Sequence, residues 1–416
     1  MSRDVVVVDK LVPGGQGLCR DGEGVFFVDG VAAGDRIEVS VERKRRGARE
    51  GRLLAVLEPS ADRTLPDCGL VAVCGGCDWL HLTRAAQTRC KEELVVDALV
   101  RVGRFSPTEV TAFVRPLLAP PAPADGARRR ARFVVDDAGR LAFFARRSHG
   151  RLAIAACPAL DARLSATLSL LPPLRPGAVV RLAVDDDGIV AGVDDDDDVL
   201  VLAPHLRAAA ATGTSALRGV LSARGRSVGD PFLRGEITAG WLPARSDALT
   251  FAQATRFGGA AIRDAVITGA GDVDGRRLLE LFAGAGHLTL PLARAGAIIE
   301  AVEGDERALQ HLGHNTALFG VVVDARRAFI DEHLRLRDVD VVVADPPRTG
   351  IPGAALLFRR LAEKGAVRLV LVSCDPATGA RDLRGAVAAG FVVDALTPID
   401  AFPRTHHVEW VAVLSR

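Results

Sequence analysis

From about residue 276 the chain alternates short apolar runs with helical patterns, and this alternation restricts the possible folds more than any other feature. The apolar runs cover residues 278–282, 298–302, 339–344, 368–372 and 408–414. Regular alternation of this kind is typical of a doubly wound, mostly parallel α/β sheet with helices on both faces. Because such sheets bind ligands at the carboxyl ends of their strands, we predict that the chemistry of the protein lies in this part of the chain.

Length and local patterns divide the chain into three predicted domains. A single hydrophobic core usually stops growing near about 250–300 residues, and the chain has 416. Residues 1–58 alternate short β-rich runs with glycine turns, which is typical of a small five-stranded OB-like β-barrel. We predict a central α+β domain over residues 59–245, with a helix near 83–101 and a hairpin near 128–145, and a Rossmann-like α/β domain over 246–416.

The charges nearly cancel, and the formal net charge is +1. A surface for nucleic acid must therefore be local, and two basic stretches are candidates: a hairpin tip at residues 43–46 and the strand at residues 128–132. An acidic run at residues 194–198 is predicted to be a solvated turn. Since no segment has the apolar length of a membrane span and no signal-peptide pattern opens the chain, we expect a cytoplasmic location and no membrane partner. We also expect a monomer.

A glycine loop marks the predicted cofactor site. The strand at residues 278–282 leads into Gly284 and Gly286, and glycines at such a turn let the backbone approach a ligand closely. The next strand ends at Glu303, whose carboxylate is placed to accept hydrogen bonds from a ribose. The third glycine of the dinucleotide pattern is missing, and the fourth strand leads into Asp345 and two prolines. These features favour S-adenosylmethionine (SAM) over NAD, and the alternative is a tight β-α turn that binds no ligand.

Cys374 is the candidate nucleophile. It follows the apolar run at residues 368–372, on the rim where open α/β sheets bind ligands. The candidate base precedes the last strand, and we assign Glu409, with His407 as the alternative. Methylation of a pyrimidine at carbon 5 needs such a pair, because a thiolate must add to carbon 6 and a base must later remove the carbon-5 proton. The alternative for Cys374 is an ordinary buried packing cysteine.

These segments closely resemble the family of RNA uracil-5-methyltransferases that modify tRNA and 23S rRNA. The matching stretches are residues 281–292, 303, 345–350, 373–383 and 400–409, and residues 1–58 resemble the TRAM domain, a barrel that grips RNA. The resemblance implies Cys374 as nucleophile, Glu409 as base and SAM as methyl donor to a uridine, with 23S rRNA favoured over tRNA. It also implies that SAM contacts Gln253, Phe282, His287, Glu303, Asp324 and Asp345.

Four of the seven cysteines form a second candidate site. Cys68, Cys74 and Cys77 lie within ten residues of one another, and Cys157 lies far downstream. By count alone, four thiolates suit a zinc ion and a [4Fe–4S] cluster equally. The pattern is similar to the iron–sulfur site of one branch of the family, and this resemblance implies a [4Fe–4S] cluster with a structural role.

Some positions depart from the family. Thr255 stands where the family has Asn, and His287 and Asp375 stand where Asn is common. We expect His287 still to donate a hydrogen bond to the carboxylate of the methionyl group. Two other functions stay open. The first is an RNA cytosine-5-methyltransferase, although such enzymes usually carry their cysteine after a proline on strand four. The second is an inactive RNA-binding protein with a methyltransferase fold.

Overall fold

The computed structural model describes residues 3–43, 49–121, 126–212, 217–235 and 244–416. The chain divides into two compact units. The first comprises Met1–Asp97, Phe144–Gly150 and Phe402–His407. The second comprises Ala98–Phe143, Arg151–Ala401 and Val408–Arg416. Each unit therefore combines stretches that are distant in the sequence.

A closed five-stranded barrel opens the first unit, which confirms the barrel predicted for residues 1–58. Its strands are β1 (Arg3–Leu11), β2 (Gly17–Asp21), β3 (Gly24–Val28), β4 (Arg36–Arg43) and β5 (Arg49–Glu58), in the order β1-β2-β3-β5-β4. Val8, Phe26 and Ile37 pack in the barrel core. A Cβ atom at Gly51 would lie 3.0 Å from the Phe26 ring, so a larger residue at this position of β5 would require the ring to shift. The basic tip predicted at residues 43–46 lies outside the described residues, apart from the backbone of residue 43.

Two helices follow the cysteine-rich loop. Helix α1 spans Arg84–Arg101, as predicted, and Trp79, Ala86 and Leu94 belong to a second core of the first unit. Helix α2 (Pro107–Phe113) begins with a capping box. The Glu109 N–H donates to Ser106 Oγ over 3.2 Å, and the Ser106 N–H donates to the Glu109 carboxylate over 2.7 Å. This reciprocal pair satisfies two backbone donors at the start of the helix.

Seven strands from the middle of the chain form one sheet in the order β12-β11-β10-β9-β6-β7-β8. The strands are β6 (Arg130–Val135), β7 (Leu141–Phe144), β8 (Arg151–Ala153), β9 (Val179–Asp185), β10 (Gly188–Val193), β11 (Leu217–Ser222) and β12 (Ser227–Gly229). Two further strands, β13 (Phe232–Gly235) and β14 (Ala244–Asp247), pair with each other. Strands β6 and β7 form the hairpin predicted near residues 128–145.

Helices α3 (Ala162–Thr167) and α4 (Asp196–Thr212) accompany this sheet. The structure contradicts the solvated turn predicted for residues 194–198, because the last three of these aspartates form the first turn of α4. Negative charge is stabilised at a helix N-terminus by the helix dipole and the unpaired backbone N–H groups. The acidic run therefore starts a helix.

The C-terminal part forms the predicted doubly wound sheet. Its strands are β15 (Arg277–Leu281), β16 (Ile298–Glu303), β17 (Val323–Arg327), β18 (Val341–Ala344), β19 (Arg368–Ser373), β20 (Val392–Ile399) and β21 (Glu409–Ser415). Its helices are α5 (Arg256–Ala270), α6 (Thr289–Arg294), α7 (Glu306–Phe319), α8 (Ala354–Glu363) and α9 (Pro376–Ala388). The strand order is β17-β16-β15-β18-β19-β21-β20, with β15 to β19 parallel and β21 antiparallel to both neighbours. The order reverses between β15 and β18, which is where sheets of this type open a crevice for a ligand.

None of the helices in the described residues combines the length and the apolar character that a membrane crossing requires.

Candidate active site

A cavity of about 450 Å³ lies beside the carboxyl ends of β15 and β18, and we call it the glycine-loop cavity. Five of the residues predicted to contact the cofactor line it: Gln253, Phe282, Gly284, His287 and Asp345. Its volume falls within the range of about 300–1,000 Å³ that is usual for sites of small ligands. The fold thus brings together predicted cofactor residues that are distant in sequence, at the edge of the sheet where a ligand is expected.

The loop after β15 has an unusual backbone. Phe282, Gly284 and Gly286 have φ angles of +64°, +57° and +98°, in the region that L-residues other than glycine rarely adopt. A Cβ atom at Gly284 would meet nothing within 4 Å, whereas one at Gly286 would lie 2.8 Å from Leu312 Cδ1. Gly284 therefore keeps the cavity open, and Gly286 lets the loop pack closely against Leu312 of α7.

Glu303 fixes this loop through both of its carboxylate oxygens. One oxygen accepts from the Gly284 N–H and the other from the Asp305 N–H, each over 2.8 Å. Glu303 and Gly286 are not among the residues that line the cavity. Each carboxylate oxygen has a further lone pair, so Glu303 can hold the loop and still accept a hydrogen bond from a ribose.

The structure does not bring Asp324 to the cavity. Asp324 is the second residue of β17 and is paired in register with Glu300, whereas Glu303 at the carboxyl end of β16 is paired with Arg327. Three residues of extended strand separate the two positions by roughly 10 Å. The Asp324 carboxylate is more than half exposed and forms an ion pair with Arg337. The structure therefore does not support the expectation that Asp324 contacts a cofactor, because the residue lies three positions along β17 before the partner of Glu303 and does not line the cavity.

His287 is not available as the hydrogen-bond donor that we expected. Its Nε2 lies 3.0 Å from the carbonyl oxygen of Gly259 and must donate to it. Burial lowers the pKa of His287, which favours the neutral ring. A neutral imidazole that donates from Nε2 has only an acceptor at Nδ1. His287 can therefore accept a hydrogen bond from a ligand amine, but it cannot donate one to a carboxylate.

Glu280 is a buried acid that lines the cavity and was not among the predicted site residues. Glu280 lies within the otherwise apolar strand β15, is 1% exposed, and leaves its Oε2 atom without a hydrogen-bond partner. Burial raises the pKa of Glu280 to about 8 and that of Asp345 to about 7. A carboxylate between leucines of a central strand serves no packing purpose, and this was the signal that could have identified it.

Thr255, which stands where the family has Asn, uses its hydroxyl group for contacts within the protein. Its hydroxyl caps α5 by accepting from the Gly258 N–H over 3.1 Å and donates to the Ala401 carbonyl over 3.1 Å. Both hydrogen-bonding functions of the side chain are therefore used within the protein. The neighbouring Gln253 lines the cavity and is the polar side chain of this segment that remains for a ligand.

Cys374 and Glu409 are placed opposite each other by the register of antiparallel strands. Ser373, the last residue of β19, pairs with Trp410 of β21. Continuing this register by one residue sets Cys374 against Glu409, because partners advance in opposite directions along antiparallel strands. The sheet thus brings together a thiol and a carboxyl group that are 35 residues apart in sequence (409 minus 374).

The electrostatics of this pair are those of a buried, mutually repelling set of acids. Burial, followed by the charge of Glu409, raises the pKa of the Cys374 thiol to about 12, while Arg348 opposes the rise. Burial and then Asp345 raise the pKa of Glu409 to about 8, and Arg348 again opposes it. Glu409 is 3% exposed, and its Oε2 atom has no hydrogen-bond partner. A buried carboxyl with an unused acceptor is poised to take a proton from a bound molecule.

Tight packing of α9 fixes the position of Cys374. A Cβ atom at Gly379 would lie 2.2 Å from Trp410 Cζ2 and 2.4 Å from Ser373 Oγ, so the helix rests directly on the end of the strand. Asp375 caps the helix by accepting from the Thr378 N–H over 2.8 Å. Cys374 therefore precedes a helix N-terminus, an environment that favours a thiolate.

The predicted iron–sulfur ligands do not form a metal site in the described residues. Cys68, Cys74 and Cys77 belong to the first unit and Cys157 to the second. Cys74 Sγ accepts from the Gly76 N–H over 3.4 Å, as a thiol in a turn does. Across the part of the chain that is described, no three His, Cys, Asp or Glu side chains converge to hold a metal ion. The structure thus does not show a [4Fe–4S] cluster, which stays a prediction from the sequence, and we derive no step of the reaction from one.

The basic strand near residues 128–132 is largely occupied by internal contacts. Arg129 forms a 3.2 Å ion pair with Asp186. Arg130 donates to the carbonyls of Thr250 and Asp247 over 2.6 and 2.8 Å. Arg132 is exposed. Two of these arginines thus support the cavity wall, which they also line, and this reduces the charge available for an RNA backbone.

Comparisons with known proteins agree with this geometry. The chain is 34% identical to a 23S rRNA (uracil(1939)-C(5))-methyltransferase RlmD of Halomonas elongata, covering 99% of this chain and 89% of that protein. It is 30% identical to the protein of the same description from Acidithiobacillus ferrooxidans, covering 99% and 97%. No protein-family model matches the chain. The crystal structure of the Pyrococcus abyssi tRNA (uracil-54, C5)-methyltransferase with S-adenosyl-L-homocysteine superposes with a TM-score of 0.74 at 20% identity, covering 98% of this chain and 99% of that one.

The doubly wound sheet, the glycine loop and the cavity beside it define an α/β methyltransferase. Within that class, the full-length relatives show that the chain belongs to the RNA uracil-C5-methyltransferase family. The family resemblance noted from the sequence is thereby confirmed.

Proposed function

We propose that the protein transfers a methyl group from SAM to carbon 5 of a uridine in RNA, with Cys374 as nucleophile and Glu409 as base. The observation that carries this proposal is the facing pair itself, a cysteine at the end of β19 and a buried carboxyl at the start of β21. The unused Oε2 acceptor of Glu409 supports the role of base.

The glycine-loop cavity fits SAM. Gly284 leaves open space beside the loop backbone, and Glu303 is held where it can accept from ribose hydroxyls. Glu280 has a free acceptor oxygen and His287 an acceptor nitrogen, and both suit the amino group of the methionyl part. Phe282 and Gln253 complete the set. Bound SAM would supply an electrophilic methyl group on a positively charged sulfur.

The residues of the chain perform the remaining chemistry. After losing its proton to solvent, Cys374 Sγ forms a bond to carbon 6 of the uracil, and the electrons of the carbon 5–carbon 6 double bond move toward carbon 5. Carbon 5 then takes the methyl group; the bond from the methyl group to the donor sulfur would break, with its electrons left on a sulfur that becomes a neutral thioether. Glu409 removes the proton that remains on carbon 5, the double bond re-forms, and the bond between Cys374 and carbon 6 breaks. Glu409 finally releases the proton to solvent.

Two features favour the thiolate that this sequence of steps requires. The Arg348 guanidinium opposes the rise in the pKa of Cys374 that burial causes. The N-terminus of α9 adds the partial positive charge of a helix end. A raised pKa makes a carboxylate a stronger base toward a carbon acid, and burial raises the pKa of Glu409 to about 8.

We infer that the substrate is 23S rRNA rather than tRNA. The relatives with 34% and 30% identity over nearly the full chain are described as 23S rRNA enzymes. The target uridine must lie in a single strand or be turned out of a helix, because carbon 6 is shielded in a stacked duplex. The five-stranded barrel would act as a TRAM domain that holds the flanking backbone. The cluster at Cys68, Cys74, Cys77 and Cys157 stays a prediction.

A trapping experiment tests the mechanism. The protein is incubated with tritiated SAM and RNA in which the target uridine is replaced by 5-fluorouridine. Fluorine at carbon 5 cannot leave as a proton does, so the methylated adduct should persist on a denaturing gel, and Cys374→Ser should abolish it. Cys90→Ala is the matched control, because Cys90 is a buried cysteine of the other unit.

The outcomes separate the candidate functions. A labelled adduct that requires Cys374 supports uracil methylation. Label in cytosine of unsubstituted RNA would instead identify a cytosine-5-methyltransferase. Binding of SAM and RNA without any transfer would identify an inactive RNA-binding protein, and a Cys374→Ser variant with normal turnover would refute the proposed nucleophile.

A further inference from the structure

The six residues Phe402–His407, which we call the clamped loop, belong to the first unit, although they lie between Ala401 and Val408 of the second. The loop connects β20, which ends at Ile399, to β21, which begins at Glu409. Contacts that fix the loop therefore also restrict the start of β21, which begins with the proposed base Glu409.

The centre of the loop is held in a strained conformation by several hydrogen bonds. Arg404 has a φ angle of +70°, which is unfavourable for a residue with a side chain. Its backbone N–H donates to Gln87 Oε1 over 2.8 Å, and its carbonyl accepts from the Trp79 N–H over 3.0 Å. Its guanidinium pairs with the Asp67 carboxylate, with Nη2 to Oδ2 at 2.8 Å. Strain of this kind persists only where surrounding contacts impose it.

The two ends of the loop are held in the same way. His406 Nδ1 lies 2.6 Å from Asp78 Oδ2, and the His406 backbone N–H donates to the same oxygen over 3.4 Å. At the other end, the fully buried Lys91 donates to the Phe402 carbonyl over 2.9 Å. Every partner named here lies in the loop before α1 or in α1 itself. The N-terminal part of the chain thus fixes both the start and the end of the loop.

We propose that Asp67 and Asp78 are positioning residues for the reaction, which act through Arg404 and His406 to set the place of Glu409. The proposal rests on the proposed function of Glu409 as base. His406 and Glu409 are three residues apart, a span of at most roughly 11 Å of chain, so a displacement of the loop is passed directly to the carboxyl group. Glu409 acts only after methyl transfer, and its misplacement should therefore slow the release of the adduct while leaving its formation intact.

The experiment uses the full chain, SAM and RNA with an ordinary uridine. Asp78→Ala removes the partner of His406. Arg404→Gly removes the ion pair with Asp67 but suits the φ of +70°, so it preserves the backbone even if Asp78→Ala does not fold. Arg89→Ala is the matched control, because it removes an ion pair with Asp62 in the same unit, outside the barrel and without touching the clamped loop. The methylated covalent species and the released product are followed over time on denaturing gels.

In both test variants we expect the adduct to accumulate and its release to slow about 10- to 100-fold, as for a group misplaced by about an ångström, with unchanged dissociation constants for SAM and RNA. Glu409→Gln should show the same accumulation, and Arg89→Ala should behave as the wild type. If Glu409→Gln releases product at the wild-type rate, the proposed base is refuted and this inference with it. If Glu409→Gln accumulates adduct while Asp78→Ala and Arg404→Gly release it normally, or form and release it equally slowly, this inference alone is refuted.

Discussion

Gly284 and Gly286 are separated by one residue, and the structure predicts opposite consequences when each is replaced by alanine. At Gly286 the new Cβ would lie 2.8 Å from Leu312 Cδ1 and 3.3 Å from Leu290 Cγ, at a φ of +98°. Overpacking costs about 1–3 kcal/mol and a left-handed backbone about 1–2 kcal/mol. Gly286→Ala should therefore lower the free energy of unfolding by about 2–5 kcal/mol.

At Gly284 the new Cβ would meet nothing within 4 Å and would project into open space, at a φ of +57°. Gly284→Ala should cost stability only about 1–2 kcal/mol. A methyl group placed where a ligand must approach the backbone should weaken SAM binding by about 1–3 kcal/mol, which is roughly 5- to 150-fold in Kd.

Two measurements on the purified full chain check this pair of predictions. Urea denaturation gives the free energy of unfolding, and isothermal titration with SAM gives the dissociation constant. We expect Gly286→Ala to lower the free energy of unfolding more than Gly284→Ala does. We expect Gly284→Ala to weaken SAM binding by more than its small loss of stability explains. Equal losses of stability, or normal SAM binding by Gly284→Ala, would refute the assignment of the open space to the methyl donor.

Four further predictions concern the pH dependence of the reaction, stability, RNA binding and iron. Because burial raises the pKa of Glu409 to about 8, its carboxylate form increases above that pH, so the decay of pre-formed adduct should accelerate from pH 7 to 9, and a flat profile would contradict the role of base. Since the folded-state pKa exceeds the ordinary value of 4.5, ionisation of Glu409 lowers stability as pH rises from 4.5 toward 8. Glu409→Gln should therefore stabilise the protein at pH 8 by roughly 1–4 kcal/mol in thermal or urea denaturation. Replacing residues 43–46 with alanine should weaken RNA binding and reduce its dependence on salt, and unchanged binding at all salt concentrations would argue against a grip by the barrel. Anaerobic purification should give a brown protein that loses its iron when Cys74 and Cys77 become serine, whereas a colourless protein that contains zinc would exclude the predicted iron–sulfur cluster.

The parts of the site that could be predicted from sequence are those fixed by strand ends. Gly284, Asp345 and Cys374 each lie within three residues of the end of a strand, and the carboxyl ends of parallel strands meet at one edge of the sheet. Their convergence therefore required no knowledge of side-chain packing. Glu409 was predictable for a similar reason, since the residue that begins an antiparallel last strand lies at the same edge.

Other features depend on register and on long-range contacts that periodicity does not contain. Asp324 also belongs to a strand, but it lies near the amino end, and a difference of three residues moves it away from the ligand. A histidine can in general donate a hydrogen bond to a ligand, but the Nε2–H of His287 already donates to the Gly259 carbonyl. Glu280 was missed because a strand with a single acid still has an apolar pattern. The acidic run at residues 194–198 has no periodicity, so its role in starting α4 was hidden.

The return of the chain to its N-terminal unit at Phe402–His407 also has a consequence for how the protein is made. Domains of large proteins generally fold in order as they leave the ribosome, the N-terminal one first. Here the first unit stays incomplete until residue 407 has been synthesised, because six of its residues follow most of the second unit in the sequence. The hydrogen bond from buried Lys91 to the Phe402 carbonyl cannot form before Phe402 is synthesised. The same holds for the pairs of Asp67 with Arg404 and of Asp78 with His406. The first unit of a nascent chain is therefore completed at His407, immediately before the strand that begins at Glu409 is synthesised.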